Sequence, residues 1–533
     1  MLILYSMKWD VLYGSPITNH KSLITALLEN RGLKSKKEID EFLNPTKNIK
    51  LDIPKNILKR LNEAKKNKEK IVIFGDYDCD GVCATAILWE TMYKEGFDVM
   101  PYIPDRFEEG YGIKSTTFAN SKFQNLNPNL IITVDNGIVA YDAIKEAKKR
   151  GIDVIVVDHH ALGNKKLTTP YILHSTIVCG SALAWFLSRE LSTVHRSLFT
   201  GLDLVALGTV ADQIPLLGIN RSIVKYGLEE LNNTKRLGLR QIVKDVGVQN
   251  VGVYEIGFMI APRINASGRL LHAIDALRLL CTKDPKKAKE LSKKLSETNI
   301  ERQKIVEGVV ARVLEETSDG DKIMVISGDY HEGVIGLASG KVTEKYYKPS
   351  IVLSVGKEVS KASARSINGF NIIEAIKETN LILEGGGHPM AAGFSIETSK
   401  ISEFKTKINE ISKKYLTDEI LEKKLKIDLE LDFKYINIKL IEILKKLEPF
   451  GYGNSQPVFT TKKVKVVESK TVGSDGKHLK LKLEQNGIKF DGIWFNNNQT
   501  PIINNQYDIA FTIEENIWNN KTLIQLKIKD IKY

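Results

Sequence analysis

Four short apolar runs, each ending in a carboxylate or a histidine, constrain this chain more than any other feature of it. Ile71-Val72-Ile73-Phe74 passes through Gly75 into Asp76, Asp78 and Asp80 of the string GDYDCDG. Leu130 to Val134 ends on Asp135-Asn136-Gly137, and Val154 to Val157 ends on Asp158-His159-His160. The fourth, Leu204 to Val210, leads to Ala211 and Asp212. Apolar, β-branched runs separated by amphipathic stretches predict buried parallel strands joined by crossover helices. In such sheets ligands gather beyond the carboxyl ends of the strands, so these acids and imidazoles are expected in one crevice. Taken singly, an Asp-rich turn is a helix cap and Asp-Asn-Gly a tight turn. Their recurrence at the same end of four predicted strands favours a site instead. Carboxylates with one or two imidazoles suit Mn²⁺ or Mg²⁺, and two such ions about 3.5–4 Å apart clamp phosphoryl groups.

In this order, DYDCDG, DNG, DHH and TVAD resemble the four motifs of the DHH phosphoesterase superfamily. Gly385-Gly386-Gly387-His388 with the following PMAAG resembles the glycine-rich signature of its associated second domain. APRINASGRL from Ala261, HEGVIGLASGKV from His331 and LEPFGYGNSQPVF from Leu447 narrow the likeness to the RecJ branch, the single-strand-specific DNA exonucleases. The resemblance covers residues 70 to 460. It implies two ions, with Asp78 and Asp80 holding one each and Asp135 bridging them. His159 and Asp212 would complete the shell of the second ion. Asp76 would ligate or support, His160 would contact substrate phosphate, and Asp158 would orient an imidazole. Arg365 and Ser366 resemble the family's phosphate-contacting segment, where Gly385, Gly386, Gly387 and His388 would also meet phosphate. Arg263, Asn265 and Arg269 would line the cleft, or cap helices and tie the lobes together. Two departures stand out. Phe74 occupies a position where related phosphoesterases often carry histidine, so one ion is expected to bind more weakly. The loop between His160 and Gly180 is short, with no clear equivalent of the family's Asn-Pro segment.

The 533 residues are enough for several domains. The expected architecture is α/β: a parallel-sheet DHH domain (66–225) after an N-terminal helical extension (1–65), then a helical connector (226–320) with a long linking helix. A second, DHH-associated α/β domain (321–420) and a C-terminal OB-type β-barrel (421–533) complete it. In the connector, Leu291, Leu295, Thr298, Arg302, Ile305, Val309 and Val313 recur at three- and four-residue steps, as one helix face should, and such a helix suits the bridging of two lobes. Alternation in Leu479-Lys480-Leu481-Lys482-Leu483 predicts a half-buried barrel strand. Its lysines, with Lys462, Lys463, Lys465, Lys470, Lys477 and Lys489, form either a basic groove, with Phe490, Trp494 and Phe495 as stacking platforms, or a plain solvated face.

The formal charge of +12 favours a polyanionic partner. Cys79, Cys83, Cys179 and Cys281 form no metal or disulfide pattern and read as free thiols in a reducing compartment. No run approaches the roughly 18 apolar residues of a membrane span, and no leader pattern opens the chain, so a cytoplasmic monomer without membrane contact is expected. The leading expectation is 5′-to-3′ hydrolysis of single-stranded nucleic acid, DNA before RNA, to mononucleotides in repair and recombination, with a helicase or single-strand-binding protein as possible partner; the polarity comes from the resemblance alone. The alternatives are a phosphodiesterase for nanoRNA or cyclic dinucleotides, and a binding scaffold with weakened catalysis.

Overall fold

A computed structural model describes residues 7–14, 19–193, 200–317, 321–473, 476–496, 501–518 and 521–532. The chain divides into two compact units, Met1–Asp10 with Glu297–Leu425, and Val11–Ser296 with Lys426–Tyr533.

In the larger unit, β1 (Lys70–Phe74), β2 (Asp98–Tyr102), β3 (Leu130–Val134), β4 (Asp153–Asp158) and β5 (Ile172–His174) form an all-parallel sheet. Its order, β2-β1-β3-β4-β5, brings the acids after the central strands β1, β3 and β4 side by side at the carboxyl end of the sheet. The pleat sends Ile71 and Ile73 into one apolar layer and Val72 and Phe74 into the other, so both faces of β1 are buried and the run reads as continuous rather than alternating. Phe74 lies wholly in the second layer, its ring centroid 5.3 Å from that of Tyr102 and 6.1 Å from that of Phe123. Its side chain is committed to packing, and the nearby Asp76 offers the carboxylate at this strand end.

The fourth run is a helix, which corrects the expected strand. Of α1 (Cys79–Lys94), α2 (Tyr141–Lys149), α3 (Gly180–Leu191), α4 (Leu202–Ala211) and α5 (Gly218–Asn232), α4 packs against α1, α3 and α5. Enclosed on so many sides, it is apolar nearly all round and shows no amphipathic stripe, which is why its sequence imitates a buried strand. Gly208 lets it approach: a Cβ there would lie 2.2 Å from both Asp80 Oδ1 and Ser181 Oγ.

After α6 (Ala261–Leu270), the long helix α7 (Pro285–Ala311) is followed by a separate helical turn, Val313–Glu316, so Val313 lies just beyond the helix on whose face it is expected. Leu295, Thr298, Val309 and Val313 are buried and Leu291, Arg302 and Ile305 half-buried, as the periodicity predicts. The smaller unit carries a mixed sheet of β6 (Met324–Gly328), β7 (Ser350–Ser354), β8 (Val359–Arg365), β9 (Ile382–His388) and β10 (Ala391–Glu397), ordered β9-β10-β8-β7-β6. Only β6 and β7 are parallel.

Five strands, β11 (Phe459–Val472), β12 (His478–Gln485), β13 (Ile488–Trp494), β14 (Gln506–Trp518) and β15 (Lys521–Lys532), close into a barrel through the β11–β14 pairing. Alternation on β12 buries Leu479, Leu481 and Leu483. The same rule corrects the expected stacking platforms. Trp494 pairs with Leu479 and is 8% exposed in the barrel core, and Phe490 packs edge-on against Phe433. Phe495 is exposed, beneath the Lys527 ammonium.

The N-terminal helices are not a free-standing extension. His20–Glu29 and Lys36–Leu43 give Leu23, Leu27 and Phe42 to the core that holds Leu429, Phe459 and Phe511, whereas Lys55–Lys66 gives Ile57 and Leu61 to the α/β core. Asn30 donates to Asp428 O at 2.9 Å and Arg31 to Asn454 Oδ1 at 2.8 Å. Arg221 on α5, 1% exposed, joins barrel and α/β domain. Its guanidinium donates to the carbonyls of Phe42, Lys446, Leu447 and Glu448 at 2.7–3.0 Å. Three of these carbonyls end the helix Ile438–Leu447, where a cation suits both the orphan acceptors and the helix dipole.

Candidate metal centre

Each acid in the crevice is held by backbone that the sequence dictates locally. Asp78 is the N-cap of α1, its Oδ1 accepting from Gly81 N–H at 3.0 Å. Asp80, in the first turn of α1, accepts from Gly180 N–H at 2.6 Å and Ser181 N–H at 3.0 Å, so the first amides of α3 fix both of its oxygens. Asp135 leaves β3 with φ of 62°, a left-handed conformation uncommon outside glycine. Gly180 makes room for it: a Cβ there would lie 2.6 Å from Asp135 Oδ1. Asn136 ties the ends of β1 and β3 by donating to Phe74 O and Val134 O at 3.1 and 2.9 Å. Asp158 accepts from Ile138 N–H at 2.8 Å and His160 N–H at 3.1 Å, and its Oδ1 lies 2.8 Å from His160 Nδ1. Asp212 caps the C-terminal end of α4, where the dipole disfavours an anion unless a cation is near.

Three groups of ligand atoms emerge, each with its members within 4.8 Å of one another: Asp76, Asp78 and Asp135; Asp135, His159 and His160; and Asp80, His159 and Asp212. Asp135 and His159 each belong to two groups, so the donors form overlapping sites. All six residues expected in the catalytic centre, together with Asp76, are brought together.

The donors fit divalent cations. Burial, then repulsion from the neighbouring acids, pushes Asp76, Asp78 and Asp135 above the usual carboxylate range, and the same causes push Asp212 up to about 8. Asp76 Oδ1 and Asp135 Oδ1 are buried without an aligned hydrogen bond. His159 Nε2 nevertheless faces Asp135 Oδ1 at 3.1 Å and Asp212 Oδ2 at 3.5 Å. Adjacent ligands of an octahedral ion with bonds of about 2.1 Å are about 3.0 Å apart, so lone pairs meeting at this spacing suit such an ion. Burial holds His159 below the usual imidazole range, as a neutral ligand requires, while the hydrogen bond to Asp158 raises His160.

Helix α6 supports this crevice from behind. Asn265 Oδ1 accepts from Cys79 N–H at 2.7 Å, and Gly268 lies so close to Tyr77 that a Cβ would come within 2.5 Å of its carbonyl oxygen. Arg269 is near enough for its charge to oppose part of the rise at Asp78 that burial and Asp80 cause. Arg263 instead donates to Met259 O, one turn back in the same helical run, and to Ser296 Oγ on α7, so it ties two helices together.

In the smaller unit, Arg365 on β8 and His388 on β9 both lie opposite Ala391, which places them in one row across the sheet. Gly385, Gly386 and Gly387 form an exposed edge strand rather than a loop, and the N–H groups of such a strand not used in pairing face outward. Ser366 is buried, its hydroxyl donating to Phe370 O at 2.7 Å and its N–H to Met390 O at 2.9 Å, so both its donors serve the fold.

Sequence reasoning missed Tyr111, Arg106 and His174. The Tyr111 hydroxyl lies 3.3 Å from Asp135 O and 3.4 Å from the ring nitrogens of His160. Arg106 covers the Tyr77 ring at 5.1 Å and its charge acts on Asp76. His174 Nε2 lies 2.8 Å from His160 O. A usable signal was the polar, glycine-bearing stretch DRFEEGYG from Asp105, which follows the carboxyl end of β2.

Three family models match the chain: the DHH family N-terminal domain over residues 70–209, the DHHA1 domain over 309–414 and the RecJ OB domain over 427–530. The single-stranded-DNA-specific exonuclease RecJ of Bacillus subtilis is 34% identical over 95% of this chain and 67% of its own length. The protein of the same name from Haemophilus influenzae is 31% identical over 98% of each chain. Among solved structures, RecJ of Thermus thermophilus in complex with Mn²⁺ superposes with a TM-score of 0.84 at 27% identity, covering 99% of this chain and 79% of that one. An exonuclease RecJ bound to manganese gives 0.60 at 32% identity, over 69% of this chain and 96% of that one. Matches to all three of these family models, and likeness to a relative over 98% of each chain, make this chain a member of the RecJ family of DHH phosphoesterases.

Proposed function

We propose that this chain is a metal-dependent exonuclease that hydrolyses single-stranded DNA from its 5′ end to mononucleotides. The observation that carries the hydrolytic reading is the set of three donor groups, overlapping through Asp135 and His159, at the carboxyl ends of adjacent parallel strands. Single-stranded DNA as substrate, with Mn²⁺ or Mg²⁺ as the ion, is supported by the relatives' names and by the ions in their structures. The 5′ polarity and the mononucleotide product rest on family membership.

Asp76, Asp78 and Asp135 would hold one ion, and Asp80, His159 and Asp212 the other, the two groups meeting where His159 Nε2 lies 3.1 Å from Asp135 Oδ1. Divalent ions held there would supply acidity to a bound water and neutralise charge on the scissile phosphate. The protein supplies orientation. The α3 amides keep Asp80 in place, and Asn136 holds the Asp135 turn. Asp158 holds His160 through Nδ1 and favours its charged form, which would give a hydrogen bond to a phosphate oxygen. Arg365, His388 and the edge amides of Gly385 to Gly387 belong to phosphate binding, and Lys480 and Lys482 to strand binding by the barrel. Cytoplasmic action as a monomer, with a helicase or single-strand-binding protein as partner, completes the proposal. Among the described residues no helix is long and apolar enough to cross a membrane.

The test is digestion of 5′- and 3′-labelled single strands and duplexes with Mn²⁺, alongside Asp135→Ala. A labelled mononucleotide released from the 5′ end of single strands, and lost in the variant, is expected. Preference for a dinucleotide would overturn the substrate assignment.

A further inference from the structure

Three large aromatic side chains stand exposed around the segment that carries Asp212. Tyr254 is 63% exposed, Phe258 69% and Tyr452 63%. Tyr254 and Phe258 are stacked on each other with ring centroids 4.8 Å apart and planes inclined by 28°. They flank the start of a π-helical turn, Ile256–Ile260, a wide and uncommon geometry that recurs at functional sites. That turn runs straight into α6, whose Asn265 holds the Cys79 amide. It packs against α4: Gly257 faces Val210, two residues before Asp212. Beyond Asp212 the chain meets the third aromatic, as Leu216 N–H donates to Tyr452 O at 2.7 Å. The backbone of Gly451 also lies against Leu216 and Val253, neighbours in sequence of the loop and of Tyr254. Packing on both sides of one candidate metal ligand, at Val210 and at Leu216, therefore ties the segments that carry these three exposed rings to the segment that carries Asp212.

Exposing that much aromatic surface has a cost in water that folding does not recover. An unpaired nucleobase is the flat, apolar-faced partner such rings accept, and the packing of the ring-bearing segments against the segment that carries Asp212 favours it over a protein surface. We infer that Tyr254, Phe258 and Tyr452 form a stacking rim that receives unstacked bases of the strand being hydrolysed, positioning the backbone at the candidate metal centre without reading sequence. The inference rests on the strand-hydrolysing function proposed above. Stacking of this kind tolerates any base and contributes little to the salt dependence of binding, which phosphate contacts dominate.

The test compares wild type, Tyr254→Ala with Phe258→Ala, and Phe258→Trp. Each is assayed for KM and kcat on oligothymidylate and for binding to a strand of the same length made of abasic units. The double alanine variant is expected to raise KM on oligothymidylate about 10-fold or more, with a smaller change in kcat and an unchanged salt slope. Phe258→Trp should keep the wild-type KM. Wild type should bind the abasic strand more weakly than oligothymidylate, and on that strand the alanine variant should bind as wild type does. An alanine penalty that persists on the abasic strand, or wild-type KM in the alanine variant, overturns the stacking rim. Equal wild-type affinity for the two strands overturns it even where a variant misfolds. Wild type inactive on any single strand would instead sink the proposed function. Salt-insensitive self-association lost in the alanine variant, with DNA binding intact, would assign the rings to a second copy of the chain.

Discussion

Replacing Gly180 with alanine tests whether the crevice is as tightly built as its contacts indicate. The new Cβ would meet Asp135 at 2.6, 2.7 and 2.8 Å from Oδ1, Cβ and Cγ, where ordinary contact begins at 3.4 Å. Relief requires a movement of about 0.8 Å, the difference between that limit and the closest approach. Helix α3 resists retreat because its first two amides grip Asp80, so the displacement falls on the Asp135 carboxylate. Overpacking of this kind costs about 1–3 kcal/mol of stability. A displacement of nearly 1 Å in a catalytic constellation costs on the order of 100-fold in kcat, and disturbed ligands lose about 10–100-fold in metal affinity. Thermal shift across a Mn²⁺ titration, with single-strand hydrolysis measured in parallel, separates these effects. Gly180→Ala should need one to two orders of magnitude more Mn²⁺ for the wild-type shift, and high Mn²⁺ should restore part of its rate. Wild-type Mn²⁺ dependence together with wild-type kcat would refute the geometry.

Gly308 on α7 is the counterpart, with no heavy atom within 4 Å of the place an alanine methyl would take, and Gly308→Ala should raise stability by about 0.5–1 kcal/mol in chemical denaturation without changing the Mn²⁺ response. In chelator, stability should fall as pH rises from about 4 to about 8. Asp212, raised from 3.8 to about 8, stays protonated in the folded state while its unfolded counterpart ionises, a loss on the order of 5 kcal/mol that is complete above the folded value. Asp212→Asn should flatten that fall, Mn²⁺ should stabilise the wild type more at pH 8 than at pH 5, and an unsloped chelated profile would contradict the crowding of acids. Arg221→Met should destabilise by about 3 kcal/mol or more because it strands four buried carbonyls, and Arg221→Lys should recover little, since an ammonium cannot span the same acceptors. Urea denaturation of the two variants decides this.

The acids after β1, β3 and β4 were legible because each strand is buried on both faces and ends on a residue that ordinary packing does not need. Asp212 was legible as a ligand, although its element was not. An enclosed helix and a buried strand present the same unbroken apolar run, and only the neighbours on each side tell them apart. Trp494 was misread because an aromatic in a lysine-rich segment suggests stacking, whereas the pleat, set by its pairing with Leu479, turns it inward. Tyr111 and Arg106 sit in a crossover with no periodicity, so only their place after a strand end could have marked them. Phe74 illustrates the converse: read as a missing ligand, it is a core residue of the opposite layer. The role of the first helices was hidden because their partners lie at the other end of the chain.

That last arrangement has a consequence for synthesis. Asn30 and its bonding partner Asp428 are separated by 398 residues. At about 5–20 residues per second, ribosomal elongation would leave the helix bearing Leu23 and Leu27 without its mate for roughly 20–80 s. Throughout that interval a greasy surface destined for the barrel is open to non-native partners. The biogenesis of this enzyme therefore hinges on keeping its beginning out of trouble until its end arrives, and a holding chaperone should matter more to its yield than to the survival of the finished protein.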